Sequence, residues 1–380
     1  MRMPSVALLL SMAIAGSNLL QAQSKPPNGV TPSRLAIYYG YPSLINGANG
    51  DAEKAALTFS GYDVIVLGDG LEFPERKVGR YPEGDAIEHQ QARQIIAEVR
   101  KRRPETRFFG YVCLGEIPGR QTSDSVLTTS ELEERIRLWK QLAVTGIFLD
   151  EAGYDYKAVT RKRQNFAVQT AHDLGLSAFM NAYFLDHLFR LENDLAFATG
   201  GDKNPERLAS RLDRRDLFLL ESFQVKHGVY EKAEGWQARL KQALEYRRRF
   251  GTQIFVTTTT TEQDQFSTEK FNFVWWTASI YGLDGVSWGE PDFSASTNWL
   301  PDRRCGLKDT LTTIFQPSSR VVSDGTRFWR KSGAFYYVVD TNTHTVHRVA
   351  SSAPIPPARI DALLGSSSSS STVSCEGAME

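Results

Sequence analysis

The chain has 380 residues, enough for one large α/β domain with a remainder for tails, and 41% of them are hydrophobic. Its 44 basic and 44 acidic residues cancel, so the composition indicates neither a nucleic-acid-binding face nor a membrane-surface face. Nucleic acid is therefore not an expected partner, and a monomer is expected.

The start of the chain has the pattern of an export signal followed by a linker. Met1-Arg2 precedes an apolar run at residues 6–15, and small residues follow up to Ala22, which predicts a signal peptide over residues 1–22. The run is too short to span a bilayer, so no stable membrane insertion is expected. Residues 23–33 are rich in Pro, Gly and Ser and predict a linker. We therefore expect a secreted or periplasmic protein.

Eight apolar runs rich in β-branched and aromatic residues, each bounded by Gly, Asp or Pro, predict eight strands. The strands are expected at residues 34–40, 63–69, 107–115, 146–150, 177–183, 217–222, 253–260 and 284–290. Helical patterns lie between them, among others at residues 130–144, 157–174, 230–250 and 267–281.

Two of the helical patterns carry end signals. Ser130 and Glu133 predict a capping box at the start of the first of them. The helix over 230–250 ends in three arginines and Gly251, a basic last turn followed by a C-terminal glycine. These signals define where the two segments begin and end.

Eight strands that alternate with helices predict a (β/α)₈ TIM barrel over residues 34–317. The alternative is an open doubly wound sheet, which usually has a glycine-rich first turn. The turn after the first strand, GYPSLINGANG at residues 40–50, contains no G-x-G-x-x-G. The segment LAFATGG at residues 195–201 could form a ninth strand, but we interpret it as part of a long loop after the fifth.

The chain changes character after residue 317. Residues 318–352 predict a small β appendage, with a hairpin over 326–341 that turns at Ser332-Gly333. Residues 353–380 are rich in Pro and Ser and predict a disordered tail. Of the three cysteines, Cys113 lies in an apolar strand and predicts a buried residue, whereas Cys305 and Cys375 could pair.

In a barrel the carboxyl ends of all eight strands converge on one face, so the residues there are candidates for a functional site. Acids and aromatic residues dominate this set, which comprises Tyr38, Tyr39, Tyr41, Asp69, Glu72, Tyr111, Glu116, Asp150, Glu151, Asn181, Tyr183, Glu221, Trp288 and Glu290. No Cys/His cluster with zinc spacing occurs among them, so we expect neither a metal nor another cofactor.

Acidic residues next to aromatic residues are typical of a sugar-binding site, because aromatic faces stack on a pyranose and carboxylates accept hydrogen bonds from its hydroxyls. Two of the acids could act as general acid and as nucleophile or base in glycoside hydrolysis. Asp150 and Glu221 are the strongest candidates, since each ends an apolar run in a charge that needs a partner or a function. About half of the aromatic residues are expected to pack the core instead.

Four segments resemble motifs of the endo-α-1,4-polygalactosaminidase family, glycoside hydrolase family 114, and of its spherulin-4-like relatives. GYVCLGEIPGR at residues 110–120 is similar to the third-strand motif, in which an aromatic strand runs into Gly-Glu and then Arg. GIFLDEAGYD at 146–155 resembles the fourth-strand Gly-(hydrophobic)₃-Asp motif. FMNAY at 179–183 and LFLLES at 217–222 are similar to the fifth-strand Asn and the sixth-strand Glu.

The resemblance covers about residues 34–290, with the motifs in the order that a barrel requires. This sequence departs from the family pattern at Cys113, at Pro118 and at the LAFATGG insertion. These departures bear on the substrate more than on the fold.

The resemblance implies a secreted barrel that cleaves an α-1,4-linked galactosamine or N-acetylgalactosamine polysaccharide with retention. Asp150 would be the nucleophile and Glu221 the acid/base, with their carboxylates about 5–6 Å apart. Glu151 is the rival for the role of Asp150, because strand alternation lets only one of two neighbours point fully inward. Substrate-binding roles are expected for Tyr38, Asp69, Tyr111, Glu116, Glu151, Asn181, Trp288 and Glu290.

Two other functions stay open. Residues 285–289 match G-x-S-x-G, the nucleophile elbow of serine esterases, and Ser287, Asp302 and His344 or His347 follow the triad order of that fold. An elbow must lead into a helix, however, whereas a loop sequence follows here. The second alternative is a barrel that binds carbohydrate without cleaving it, and the presence of both candidate carboxylates favours the enzyme.

Overall fold

The computed structural model describes residues 31–75, 83–116, 126–192, 200–261, 266–290, 315, 319–350 and 370–372. Its first ten strands in chain order are β1 (Ser33–Tyr38), β2 (Val64–Leu67), β3 (Arg107–Cys113), β4 (Gly146–Asp150), β5 (Ser177–Asn181), β6 (Leu217–Leu220), β7 (Val225–Lys226), β8 (Val229–Tyr230), β9 (Gln253–Thr257) and β10 (Gly285–Ser287). The strands β7 and β8 form a short antiparallel hairpin. The other eight are parallel neighbours in a closed barrel, which β10 completes by pairing with β1. The predicted (β/α)₈ barrel is confirmed.

Helices connect the strands, as the sequence predicts. They are α1 (Ala52–Phe59), α2 (Ala86–Arg102), α3 (Thr129–Gln141), α4 (Arg161–Asp173), α5 (Asp186–Phe189), α6 (Ala233–Phe250) and α7 (Thr268–Tyr281), and a 3-10 segment over Pro42–Gly47 precedes α1. At the end of α6, Gly251 adopts φ 77°, the left-handed conformation expected of a C-terminal glycine. None of the described helices is both long and apolar enough to cross a membrane.

The capping box of α3 lies two residues earlier than predicted. Thr128 Oγ1 accepts the backbone N–H of Glu131 at 3.2 Å, and the Glu131 carboxylate accepts the backbone N–H of Thr128 at 2.9 Å. The assignment to Ser130 was therefore wrong. The correct choice follows from burial, because Leu127 and Leu132 are both in the core at the two positions of a hydrophobic staple around Thr128.

The interior of the barrel is filled by a layer of phenylalanines. Neighbouring rings lie 5.1–5.4 Å apart between centroids, and the layer comprises Phe109, Phe148, Phe179 and Phe255. Gly146 and Gly285 make room for these rings, since a Cβ at either position would lie 2.3 or 2.1 Å from a neighbouring ring atom. The interior of the barrel is therefore a packed core and not a channel.

A five-stranded antiparallel sheet follows the barrel. It comprises β11 (Val322–Ser323), β12 (Arg327–Ser332), β13 (Phe335–Asp340), β14 (Thr345–Ala350) and β15 (Ser370–Thr372). The predicted hairpin is present as β12 and β13, with Gly333 at φ 59° in the turn. The prediction of a wholly disordered tail was wrong for the segment 370–372, whose backbone pairs with β14.

The sheet packs on the helical layer of the barrel. The ring of Trp276 in α7 stacks on Tyr337 of β13 with centroids 4.6 Å apart, and Trp236 of α6 meets Phe328 of β12 edge to face. The expected signal peptide, most of LAFATGG, and both Cys305 and Cys375 lie outside the described residues.

Candidate active site

Two carboxylates and one amide form a compact group at the carboxyl ends of three adjacent strands. Asp150 ends β4, Asn181 ends β5, and Glu221 directly follows β6. The Asn181 amide donates from Nδ2 to Asp150 Oδ1 at 2.8 Å and to Glu221 Oε2 at 3.4 Å. Because one nitrogen bonds both, these two oxygens lie no farther apart than about 6 Å, a limit that accommodates the ~5–5.5 Å between the carboxyl groups of retaining glycosidases.

Strand alternation explains why both carboxylates face the pocket. Phe148 of β4 and Leu219 of β6 point into the barrel, and Asp150 and Glu221 each follow by two residues. Glu151, one residue further on, leaves the strand in a left-handed conformation with φ 49°. Of the two adjacent acids, Asp150 therefore takes the inward position.

The chain also turns sharply after Glu221. Ser222 has φ 54°, a conformation that costs free energy in residues other than glycine. Arg239 of α6 stabilises this turn, because its guanidinium donates to the backbone oxygens of Glu221 at 2.7 Å and of Ser222 at 2.8 Å. The backbone from which the Glu221 side chain projects is thus held by a residue of the helical layer.

Burial and mutual repulsion set the protonation of the pair. Burial, and after it the negative charge of Asp150, raises the pKa of Glu221 to about 7. Burial also raises the pKa of Asp150, but this carboxylate accepts hydrogen bonds from Asn181, from the Glu151 backbone N–H and from Tyr111, all of which favour its charged form. These bonds oppose the effect of burial on Asp150, whereas Glu221, with its pKa near 7, keeps its proton up to near neutral pH.

Glu151 is bound to the loop after β3. Its Oε2 lies 3.3 Å from the Cys113 thiol, and its carboxylate accepts the backbone N–H of Glu116. Gly115 is required here, because a Cβ at that position would lie 2.4 Å from Glu151 Oε2. Burial raises the pKa of Glu151 to about 7. Glu151 thus adjoins the carboxylate pair without belonging to it.

The side of the pocket formed by β1 to β3 carries Tyr39, Tyr111 and Asp69. The rings of Tyr39 and Tyr111 meet edge to face with centroids 5.1 Å apart, and both pack against the apolar side chains that fill the barrel interior. The charge of Asp69 contributes to the raised pKa of Asp150. The structure therefore brings Asp69, Tyr111 and Asn181 to the pocket, and their contact with substrate stays a prediction.

Two aromatic residues that the sequence assigned to the cleft point away from it. The ring of Tyr38 meets Phe59 of α1 with centroids 5.6 Å apart, and Trp288 packs against Phe271 of α7. Both assignments were wrong, because alternation along their strands sends these side chains to the helical layer. The inward position on the first strand belongs to Tyr39 instead.

Glu72 is not a pocket acid either. It is fully buried, and Arg135 of α3 donates to it from Nε at 2.6 Å. The same arginine lies 3.9 Å from Asp69, so the acidic excess at the strand ends is smaller than the sequence predicts. Glu116 is exposed on the loop after β3 and Glu290 is partly exposed beyond β10, and a role of either in binding stays a prediction.

Two pocket residues, Tyr156 and Lys226, were missing from the predicted set, and Tyr39 was in it without a predicted binding role. Burial, and after it the charges of nearby carboxylates such as Glu151 and Asp150, raises the pKa of Tyr156. Tyr156 directly follows the fourth-strand motif at 146–155, and this position could have indicated its place beside the pocket. Lys226 lies over the ring of Tyr183, 5.2 Å from its centroid. Its positive charge partly opposes the rise in the pKa of Glu221 that burial and Asp150 cause. No local sequence signal identifies Lys226.

The structure does not support the esterase alternative. The residues after Ser287 form no helix up to residue 290, and Ser287 Oγ lies 3.4 Å from the backbone oxygen of Trp288. His347 bonds Thr345, and His344 stacks on Tyr230. Asp302 lies outside the described residues.

One group of side chains has the composition of a metal site. His172, Asp213 and Asp216 bring potential ligand atoms within 4.8 Å of one another at the amino end of β6, away from the mouth of the barrel. Both oxygens of Asp216 already accept hydrogen bonds, from the backbone of Ala178 and of Asp213 and from the His172 ring. We therefore interpret the group as a structural hydrogen-bonded cluster around Asp216.

Comparison with known proteins adds little to this geometry. No protein-family model matches the chain, and no curated protein matches it. Among solved structures, two endo-β-1,4-glucanases from Xanthomonas axonopodis pv. citri, one of them a triple mutant, are similar with TM-scores of 0.40 and 0.41 and 10% identity. Each match covers 71% of this chain, and 90% and 91% of the respective glucanase. An oxaloacetate acetylhydrolase is similar with a TM-score of 0.35 and 12% identity, over 68% of this chain and 75% of the other. Likenesses at this level carry no argument about activity, and the barrel is established by its own strand pairing.

Proposed function

We propose that the protein is a retaining glycoside hydrolase that cleaves an α-1,4-linked galactosamine or N-acetylgalactosamine polymer from within the chain. One observation carries the proposal: Asp150 and Glu221 share the amide of Asn181 at the mouth of a barrel, with their bonded oxygens within about 6 Å. Retaining enzymes hold their two carboxyl groups ~5–5.5 Å apart, which this limit allows, because one carboxylate must reach the anomeric carbon and the other the glycosidic oxygen.

Each residue then has a defined task. In the first step the ionised Asp150 attacks the anomeric carbon, while Glu221 gives its proton to the departing glycosidic oxygen. In the second step Glu221 takes a proton from water, the water oxygen attacks the anomeric carbon, and the bond to Asp150 breaks. Asn181 keeps both carboxylates in register through its two amide hydrogens.

The choice of polymer rests on the motif resemblance and on charge. Asp69, Asp150, Glu151 and Glu221 bring four carboxylates to one pocket, and a partly deacetylated polymer of galactosamine is cationic. Lys226 and Arg239 add positive charge beside Glu221, so the acidic side of the cleft is that of Asp69 and Glu151. Deacetylated units should favour that side.

The test is incubation of the purified protein with a panel of α- and β-linked polysaccharides, followed by mass spectrometry of released oligomers. We expect internal cleavage of the galactosamine polymer. Asp150→Asn and Glu221→Gln should each abolish most turnover and keep the fold. Asp173→Asn, on the exposed end of α4, is the matched control and should keep full activity. Native rates in both active-site variants would remove the site assignment.

Stereochemistry gives a separate check. Proton NMR of the first product formed should show the anomeric configuration of the substrate, because two displacements restore it. An inverted product would refute the retaining mechanism while leaving the pair as acid and base. Cleavage of a different glycan would refute the substrate and leave the mechanism.

Attraction between the acidic side and a cationic polymer should be screened by salt, with a Debye length of about 8 Å at physiological ionic strength. Activity on deacetylated polymer should therefore fall more steeply with added salt than activity on the fully acetylated form. Equal salt dependence would count against the electrostatic part of the substrate assignment.

A further inference from the structure

The hydroxyl of Tyr39 lies among the carboxylates of the pocket and bonds none of them. Its oxygen is buried, and it has no hydrogen-bond partner in the described part of the chain. Buried hydroxyls are nearly always bonded, because an unpaired donor loses the hydrogen bond that water gave it in the unfolded chain. An unpaired donor beside several negative charges therefore needs an explanation.

The position of Tyr39 is tightly determined. Its ring packs edge to face on Tyr111, whose own hydroxyl donates to Asp150. Its backbone lies against Gly68, the residue after β2, where a Cβ would be 2.7 Å from Tyr39 Cα. The phenol is thus held beside the carboxylate pair by its ring and by its backbone, and it cannot move away to find another acceptor.

Asp150 is the acceptor that fits best. Its negative charge acts on the Tyr39 hydroxyl more strongly than those of Asp69 and Glu221. Burial also raises the pKa of Tyr39 well above its ordinary value, so the phenol stays protonated and can only donate to an anion. The terminal torsion of a carboxylate is soft, so the Asp150 carboxylate can rotate toward a neighbouring donor.

We propose that Tyr39 is a positioning residue for Asp150, and that its hydroxyl donates to the carboxylate when Asp150 is fully ionised and turned toward the anomeric carbon. In the present arrangement Asp150 Oδ1 accepts from Asn181 and from the Glu151 backbone. Turning the carboxylate would weaken these bonds, and the Tyr39 hydroxyl replaces what is lost. The catalytic meaning of this contact rests on the proposed function, whereas the contact itself does not.

Tyr38 offers a matched control in the adjacent position. Its hydroxyl donates to the backbone oxygen of Tyr41 at 3.1 Å and faces the helical layer. Tyr38→Phe and Tyr39→Phe each remove one phenolic oxygen from adjacent residues, the last of β1 and the one that follows it. Only the second removes a donor near Asp150.

The first measurement does not depend on activity. Carbon NMR of protein labelled at the aspartate carboxyl carbons follows the titration of Asp150, assigned by its loss in Asp150→Asn. Tyr39→Phe should raise the pKa of Asp150 by ~0.5–1 pH unit, because a donor to the charged form is lost. Tyr38→Phe should leave it unchanged. An unchanged titration of Asp150 in Tyr39→Phe would overturn the proposal, whatever the protein hydrolyses.

The second measurement uses the polymer that the native protein cleaves. In Tyr39→Phe the acidic limb of the kcat profile should move to higher pH and kcat should fall by ~10-fold or more, with KM nearly constant, because the contact serves the reacting carboxylate. A native profile in Tyr39→Phe would also overturn the proposal. If the native protein cleaves no glycan, the proposed function fails, and the titration alone decides the contact.

Discussion

Replacing Glu221 with Gln should stabilise the protein at alkaline pH while removing its activity. In the folded state the pKa of Glu221 is raised to about 7 by burial and by Asp150, whereas in the unfolded chain it returns to the ordinary value of 4.5. Ionising a buried carboxyl beside another carboxylate opposes folding. The neutral amide of Gln has nearly the same shape and carries no such penalty.

The sign and size follow from proton linkage. Between about pH 4.5 and pH 7 the folded state binds the Glu221 proton more tightly than the unfolded state, so the free energy of unfolding falls as pH rises through this interval. The penalty is absent below the interval and complete above it. A pKa of Glu221 that rises from 4.5 in the unfolded chain to about 7 in the folded protein corresponds to a penalty of ~3 kcal/mol at pH 8, since one pKa unit is worth ~1.4 kcal/mol.

The assay is denaturant unfolding of native protein and Glu221→Gln at pH 5 and at pH 8. We expect a gain of ~2–3 kcal/mol at pH 8, or a rise in Tm of about 3–5 °C, and a gain below ~1 kcal/mol at pH 5. Glu245→Gln, on the exposed face of α6, should show no such difference. Equal gains at both pH values, or a loss at pH 8, would refute the reasoning that the pocket holds Glu221 at a free-energy cost.

Three further outcomes are expected. Asp150→Asn should lower the pKa of Glu221 by ~1–2 pH units, because a negative charge within ~6 Å is removed. Carbon NMR of labelled glutamate carboxyls measures this pKa, and an unchanged value would mean that burial alone sets it. Gly68→Ala should reduce both the thermal stability and kcat, since the new Cβ would lie 2.7 Å from Tyr39 Cα. Thermal melts and polymer assays measure the two effects, and native values in both would show that the two backbones can move apart. Thr128→Ala should cost ~1 kcal/mol in denaturant unfolding and Ser130→Ala almost nothing, because only Thr128 caps α3, and the reverse order would contradict the observed cap.

The sequence was sufficient for the barrel and for the pair at its mouth. The alternation of apolar runs with helical patterns determines strand order, and the order places Asp150, Asn181 and Glu221 on neighbouring strands. Their proximity follows from topology alone. The hydrogen bonds through Asn181, and the upper limit that they place on the distance between the bonded carboxylate oxygens, depend on side-chain rotamers that strand order does not determine.

Orientation was predicted less well, and the first strand shows why. Residues 35–38 are all buried, on one side by the barrel interior and on the other by helices, so no polar position marks the inward face. Choosing Tyr38 over Tyr39 therefore had no basis in alternation. The neutralisation of Glu72 by Arg135 was also invisible, because the two residues are 63 positions apart and meet only after the helix packs.

The strand β15 has a practical consequence for anyone who shortens this protein. A chain cut after residue 353, where the low-complexity composition begins, would lose the segment that pairs with β14. The backbone amides and carbonyls of β14 would then form a free sheet edge, which is a template for pairing with another chain. Self-association of such a truncated protein would come from that edge, and a shortened form intended for crystals or solution work should keep residues 370–372 or carry a charged substitution on β14.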